Sequence, residues 1–436
     1  MASTVVTLPR GPETPPEQQA RQWIERPLEL LDTCARQFGD VFTLQLGALG
    51  ATVMFSHPEA VKTIFSAPSR QFECQNFNES YRFVMGDHAL FLQDGERHRQ
   101  IKRVMAPPLC HEGMEGQARA IRAIAQKTVE GWSADRRSLA VRPLMHELAL
   151  RVLTNVVFGA REEAGGLVVD WFKTEVWRDQ RAWKPWTNLS RLQPRLRALI
   201  SSELEYRRSS REPGRQPDLL DYLLASRYED GQPLSEAEMQ DQILTLTITA
   251  VDPVAFAMTW LLAWVARLPA VQSTLRDELA TLGDEPDVLA LLQLPYLTAT
   301  CQETLRIHPI LPTVSGRRLT APMDIQGHHL EAGINVAPCA YLVHRRQDLY
   351  PEPLVFRPER FLSRRFGPYE YFPFGGSNRH CLGSTMAPME MKLVLATILA
   401  RGHVVLEDAG GAEVRYGTLV GPPEDLRIGF EPKCFF

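Results

Sequence analysis

"YFPFGGSNRHCLGSTMAPMEMKLVLATIL", residues 371–399, puts a lone cysteine, Cys381, at the end of a glycine-rich loop and directly before a long amphipathic helix. A thiol there sits among backbone N–H groups that have no intrahelical acceptor, at the positive end of the helix dipole. Both features would lower its pKa and donate hydrogen bonds to a sulfur ligand. Gly375, Gly376 and Gly383 would let a flat cofactor approach the backbone closely. Taken alone, the stretch reads equally well as a buried structural cysteine after a turn.

The rest of the chain narrows the choice. Of its 436 residues 44% are hydrophobic and 23% charged, the balance of an ordinary globular protein. A net charge of -4 offers no general attraction to nucleic acid or to an anionic membrane surface. Seven cysteines (Cys34, Cys74, Cys110, Cys301, Cys339, Cys381 and Cys434) form no CxxC pair, and an odd count argues against a disulfide framework or a zinc cluster. The opening MASTVVTLPRGPETPPEQ lacks the charged and apolar regions of a signal peptide. No uninterrupted apolar run reaches the ~18 residues of a membrane span. These features predict a soluble, cytoplasmic protein.

The proline-rich first twenty residues read as an extended arm. Phe42, Leu44 and Leu46 alternate as in a strand, GALG turns, and Val53 and Phe55 continue a second strand. Ser56 and Glu59 are spaced as a capping box ahead of a helix at 58–65. Apolar residues at three- and four-residue spacing predict helices near 95–106, 113–131, 141–158, 194–208, 216–227, 236–267, 269–282 and 290–307. From 311 short strands with Gly and Pro breaks take over, then a loop-rich stretch, a helix at 383–401 and a β-like tail. One predicted helix contains "TLTITAVDPVAFAMTWLLAWVARLP" (245–269), with Pro253 in its middle. An interior proline costs ~3 kcal/mol or more, so its presence needs a cause.

FGGSNRHCLG (374–383), ETLR (303–306) and RPERF (357–361), in that arrangement, resemble the three signatures of the cytochrome P450 superfamily, and the likeness runs from "LPRGP" to the C-terminus. It is nearest to soluble bacterial members such as those of cyanobacteria and myxobacteria. The resemblance implies a mainly α fold with small β-sheets, the single-domain P450 triangular prism, spanning 21–436 after an arm at 1–20. It implies haem b held through the thiolate of Cys381, with Phe374, Gly375 and Gly383 shaping the loop. Ser377 stands where glycine is usual, which predicts a slightly altered loop with the ligand retained. Glu303, Arg306 and Arg360 would form the ion triad; Glu303 and Arg306 lie one helical turn apart, as a bidentate pair requires. His98, Lys102, Arg317 and Arg379 would meet the haem propionates, with Lys102 in place of the commoner arginine.

The same resemblance lays the central helix across the oxygen-binding face of the haem, where an acid and a threonine usually relay protons. Here the segment reads Thr249-Ala250-Val251-Asp252-Pro253-Val254: the acid is Asp252 and the alcohol is replaced by Pro253. The family's helix is already opened at this point, so the proline would fall where a backbone bond is broken anyway. Monooxygenation with a substitute relay through Asp252, Thr249, a water or a hydroxyl of the substrate is one expectation. Peroxide-driven or non-hydroxylating chemistry (coupling, desaturation, rearrangement) is a second, and a haem-thiolate sensor a third. Phe77, Phe83, Phe91, Phe172, Trp177, Ile248, Val251, Val254 and Val314 fall on the family's pocket-lining segments and suit a lipophilic terpenoid, fatty acid or polyketide. Phe and Trp at helical spacing equally fit ordinary core, and Trp171, Trp177, Trp183 and Trp186 share one such stretch. With no flavin or iron–sulfur domain fused, electrons would come from a ferredoxin or flavodoxin with its reductase, steered by a basic patch of Arg99, Lys102, Arg103 and His380. A monomer is expected.

Overall fold

The computed structural model describes residues 8–110, 114–132, 138–159, 161–176, 185–209, 217–283, 285–314 and 316–433. Contacts divide the chain into two compact units. One comprises Met1–Glu79, Gln302–Cys381 and Glu413–Gly421; the other comprises Ser80–Cys301, Leu382–Ala412 and Pro422–Phe436.

The first unit is organised by a five-stranded sheet in the order Val41–Gln45, Ala51–Phe55, Asn335–Pro338, Arg317–Leu319, Phe72–Glu73. The second and third strands run parallel and the other neighbours antiparallel. The predicted alternation is present, but both faces are covered. Val53 and Phe55 enter one core with Ile64, Val336 and Phe372, while Phe42, Leu44 and Met54 enter another with Leu31 and Cys339. Each such fully buried side chain contributes roughly 1.5–3 kcal/mol.

Among the described residues of the expected arm, 8–15 are non-helical and Pro15 and Pro16 start a helix at Pro16–Glu25. The arm is fastened to the first strand: Thr43 donates its N–H to Arg10 O (3.1 Å) and its hydroxyl to Pro9 O (2.7 Å). Gly11 permits this approach, since a Cβ there would meet Thr43 O at 1.9 Å. The helix Pro58–Ser66 is capped by His57, whose Nδ1 accepts from Glu59 N–H (3.2 Å). Ser56 instead donates to Asp40 (3.0 Å), so the predicted capping box is replaced.

The second unit is largely helical. Val141–Phe158 packs along Val251–Arg267, and Met386–Arg401 packs against Met114–Glu130 and Val251–Arg267. The β-like tail forms a three-stranded sheet of Leu139–Ala140, Arg427–Pro432 and Gly402–Asp408. The helix at the C-terminal end is enclosed on nearly every side, so its expected amphipathic character is absent. Among the described residues, two stretches, Glu236–Arg267 and Leu382–Arg401, are long and apolar enough to cross a membrane by composition, but 61% of the apolar 18-residue window in each is buried within the protein.

Several predicted helices change their bounds. The segment expected at 194–208 begins at Pro185, with Pro194 inside it. That at 290–307 divides into Val288–Gln293 and Pro295–Ile307, separated at Leu294 before a proline. The long central helix also divides: Glu236–Thr249 ends at Ala250, and a new helix starts at Val251. Pro253 therefore lies in the first turn of the second piece, where N–H groups have no intrahelical acceptor. Its missing donor breaks nothing, so most of the interior penalty is absent.

Candidate functional site

The loop that carries Cys381 is built on backbone bonds. Cys381 N–H donates to Phe374 O (3.0 Å) and Gly375 N–H to Phe372 O (3.0 Å). Gly375 has φ +70, and a Cβ on it would meet Val314 at 2.9 Å; one on Gly376 would meet the Phe65 ring at 2.4 Å. Ser377 keeps the left-handed backbone that glycine would adopt, at φ +63, so the loop shape survives while the serine bears the strain. The α-helix begins at Met386, later than expected, with 3-10 turns at Ser377–Arg379 and Leu382–Ser384 around the cysteine. Burial pushes Cys34 up to about 11 and Cys301 and Cys339 up to about 12, which keeps them as inert thiols. Cys381 is exposed.

Glu303, Arg306 and Arg360 meet in one cluster that holds more than these three residues. Glu303 accepts from Arg306 Nε (2.7 Å) and Nη2 (2.8 Å), from Arg360 Nε (3.1 Å) and from the N–H of Arg357 (2.9 Å). Arg360 also donates to the carbonyls of Pro351, Glu352 and Val355. All three side chains are buried, so the charges survive only because each is answered by hydrogen bonds.

His344 connects this cluster to the cysteine loop. Its carbonyl accepts from Arg306 Nη1 (2.7 Å), and its Nε2 accepts the N–H of Phe372 (3.0 Å) at the loop's entry. Burial, then the cations of Arg306 and Arg345, hold its imidazole well below the ordinary value, so it is neutral and able to accept. Sequence reading missed this residue because its partners lie far away in the chain.

These features fit a flat, anionic, thiolate-ligated group. Gly375 and Gly376 let the loop close against Val314 and Phe65, and Arg317 brings a buried guanidinium to it, donating to Gly376 O (3.2 Å). Burial lowers the pKa of Arg317, and the Arg379 cation acts in the same direction, so an anion here would relieve both. In the second unit, His98 is buried and Lys102 half-buried on the helix Gly95–Met105, at the predicted i, i+4 spacing. Arg99 pairs with Glu96, and Arg103 with Glu229. These carboxylates neutralise much of the expected basic patch.

Asp252 is 41% exposed, and its Oδ1 lies 3.2 Å from Nε2 of His146. Thr249 donates its hydroxyl to Thr245 O (2.8 Å), so that proton is committed to the helix. Among the pocket candidates, Phe91 and Ile248 pack against one cluster with Met85, Ala89 and Leu92. Val254 is half-buried, Val251 and Phe172 are buried, and Phe83 is 56% exposed. In the first unit Phe77 lies against Gly316 and Val314 against Gly375. Trp177 and Trp183 lie outside the described residues.

The cytochrome P450 family model matches residues 9–425. Cytochrome P450 135B1 of Mycobacterium tuberculosis is 34% identical, over 95% of this chain and 89% of its own length. The 135A1 protein of the same organism is 28% identical, over 92% of this chain and 90% of its own. Among solved structures, retinoic-acid-bound cyanobacterial CYP120A1 superposes with a TM-score of 0.85 at 23% identity, covering 98% of this chain and 100% of its own. CYP102L1 gives 0.78 at 20% identity, covering 94% and 98%. With this coverage, the chain belongs to the cytochrome P450 family: it is a monooxygenase whose cofactor is haem with an axial cysteine thiolate.

Proposed function

We propose that Cys381 supplies the axial thiolate and that the enzyme inserts one oxygen atom of O2 into a lipophilic small molecule, with Asp252 as the proton carrier. When bound, the haem supplies dioxygen activation at its iron, which consumes electrons and protons and releases the second oxygen atom as water. His98, Lys102, Arg317 and Arg379 would hold the propionates, and the Glu303–Arg306–Arg360 cluster with His344 keeps the cysteine loop in shape.

The observation that carries this reading is the chemistry left in the segment 249–254. Pro253 has no hydroxyl, and the Thr249 hydroxyl already donates to Thr245 O. Asp252 is then the segment's remaining proton carrier, in the first turn of a helix where carboxylates are favoured. Phe77, Phe83, Phe91, Phe172, Trp177, Ile248, Val251, Val254 and Val314 would make the substrate pocket apolar, as a terpenoid, fatty acid or polyketide requires. A separate ferredoxin or flavodoxin with its reductase would supply electrons. The pairing of Arg99 and Arg103 with carboxylates means that recognition of such an acidic partner rests on other cations. Residues 21–436 would form one catalytic domain of a monomeric, cytoplasmic enzyme.

The first test is titration of the ferric protein with terpenoids, fatty acids and macrolides while the haem absorption is followed. A saturable low-to-high-spin shift with one class identifies the substrate. No shift from any class, with an intact thiolate spectrum, would argue against a small lipophilic substrate binding on its own. Pro253→Thr then tests the relay, and better coupling of electrons to product is expected. The second reading, peroxide-driven or non-hydroxylating chemistry, is favoured by the same missing hydroxyl, and unchanged or lower coupling in Pro253→Thr would select it.

A further inference from the structure

His146, on the helix Val141–Phe158, is a buried histidine with both ring nitrogens engaged. Its side chain is 2% exposed; Nδ1 lies 2.8 Å from the carbonyl oxygen of Arg142, and Nε2 lies 3.2 Å from Oδ1 of Asp252. A carbonyl oxygen only accepts, so Nδ1 carries a hydrogen. Nε2 and the carboxylate oxygen then attract only if one of them carries a further proton. The pair is either an imidazolium with a carboxylate, or a neutral ring with a carboxylic acid. A neutral ring with its hydrogen on Nε2 would set the Nδ1 lone pair against the Arg142 carbonyl inside the protein, where an unmade hydrogen bond is costly.

We propose that His146 and Asp252 share one proton beyond that on Nδ1, and that His146 is the positioning residue that keeps Asp252 loaded for proton delivery. This rests on the reading of Asp252 as proton carrier and adds the group behind it. The proton leaves from the carboxyl, the pair is left as a neutral ring opposite a carboxylate, and one proton from water at the exposed carboxyl edge restores it. Nothing is oxidised or reduced.

The surroundings suit such a pair. The His146 ring meets Phe256 edge-to-face at 5.5 Å, which fixes its orientation. The Arg142 guanidinium lies over the same phenyl ring, and its charge is answered by Glu424 at 3.1 Å. Several charged groups on the helices packed here pair elsewhere. Glu147 pairs with Arg151 and Lys173, Asp241 with Arg197, Asp221 with Arg207, and Arg122 donates to the Pro286 carbonyl. Glu390 is buried, and Arg267 lies at the far end of the Asp252 helix.

The test uses haem-loaded protein in its diamagnetic carbonyl-ligated state, with labelled histidine ring nitrogens and aspartate carboxyl carbons read by NMR. The expected result is either a doubly protonated His146 ring or a protonated Asp252 carboxyl, with the ring signal altered in Asp252→Asn. A neutral ring opposite an ionised carboxylate, or a ring protonated on Nε2 alone, would overturn the proposal. In turnover, His146→Gln and Asp252→Asn should each lower product formed per electron consumed by roughly tenfold. Spin-shift affinity should be unchanged and the solvent isotope effect larger, and the double variant should be no worse than either single one. Loss in Asp252→Asn with none in His146→Gln would sink the role of His146 and leave the Asp252 reading standing. No loss in Asp252→Asn would sink both. If the glutamine variant does not fold, the NMR comparison with native His146 decides the matter.

Discussion

Glu390 gives a quantitative test of how the helix after Cys381 is packed. Its side chain is buried, its Oε1 has no hydrogen-bond partner among the described residues, and burial alone raises its pKa to about 8. In the unfolded chain the carboxyl titrates near its ordinary value of ~4.3. Between those two values the folded protein binds a proton that the unfolded chain has released, so stability falls as pH rises across the window. The slope is at most about 1.4 kcal/mol per pH unit. Below the window both states are protonated and no penalty exists; above it the penalty is complete. Glu390→Gln keeps the shape and removes the titration. The stability of the variant relative to the parent should therefore increase by about 3 kcal/mol between about pH 5 and about pH 7.5. Denaturant unfolding of the two proteins, at matched haem content and ionic strength, measures this directly. Parallel pH profiles would refute the reasoning, because they would mean that the carboxyl is ionised in the fold or has found a partner.

Ser377→Gly should raise stability by about 1 kcal/mol, because an L-residue at φ +63 is strained and glycine is not; the melting temperature should rise with the thiolate spectrum unchanged. Glu303→Ala strands two buried guanidinium groups and should cost about 3–5 kcal/mol, read as a lower denaturant midpoint and poor haem retention. His344→Phe keeps the ring volume but leaves the Phe372 N–H without its acceptor. A loss of about 1–3 kcal/mol is expected, with part of it recovered in His344→Gln if the side-chain oxygen reaches that N–H.

The parts legible in the sequence were those whose chemistry is local. The cysteine loop, the Glu303–Arg306 spacing and the alternation of Phe42 and Leu44 each lie within a few residues, and the structure shows those elements much as expected. What escaped were pairings made by tertiary packing. His344 reaches Phe372 across a loop-rich stretch, His146 meets Asp252 between two helices, and Glu390 looks like a surface residue until its helix is enclosed on every side. Boundary errors have a similar origin. A proline at the start of a helix and one inside it read alike in sequence, so Pro194 reads as a start although the helix begins at Pro185. His57 captured the cap from Ser56 because Asp40 claimed the serine hydroxyl.

The interruption at Ala250 has an evolutionary consequence. Since the chain restarts its hydrogen-bond ladder at Val251, residue 253 owes nothing to the ladder, and proline, threonine or another residue can stand there with little effect on folding. Architecture and reactivity are thereby separately heritable at this point. Under the proposed relay, a descendant that gained or lost a hydroxyl beside Asp252 in one mutational step would present that change to selection almost wholly as altered chemistry.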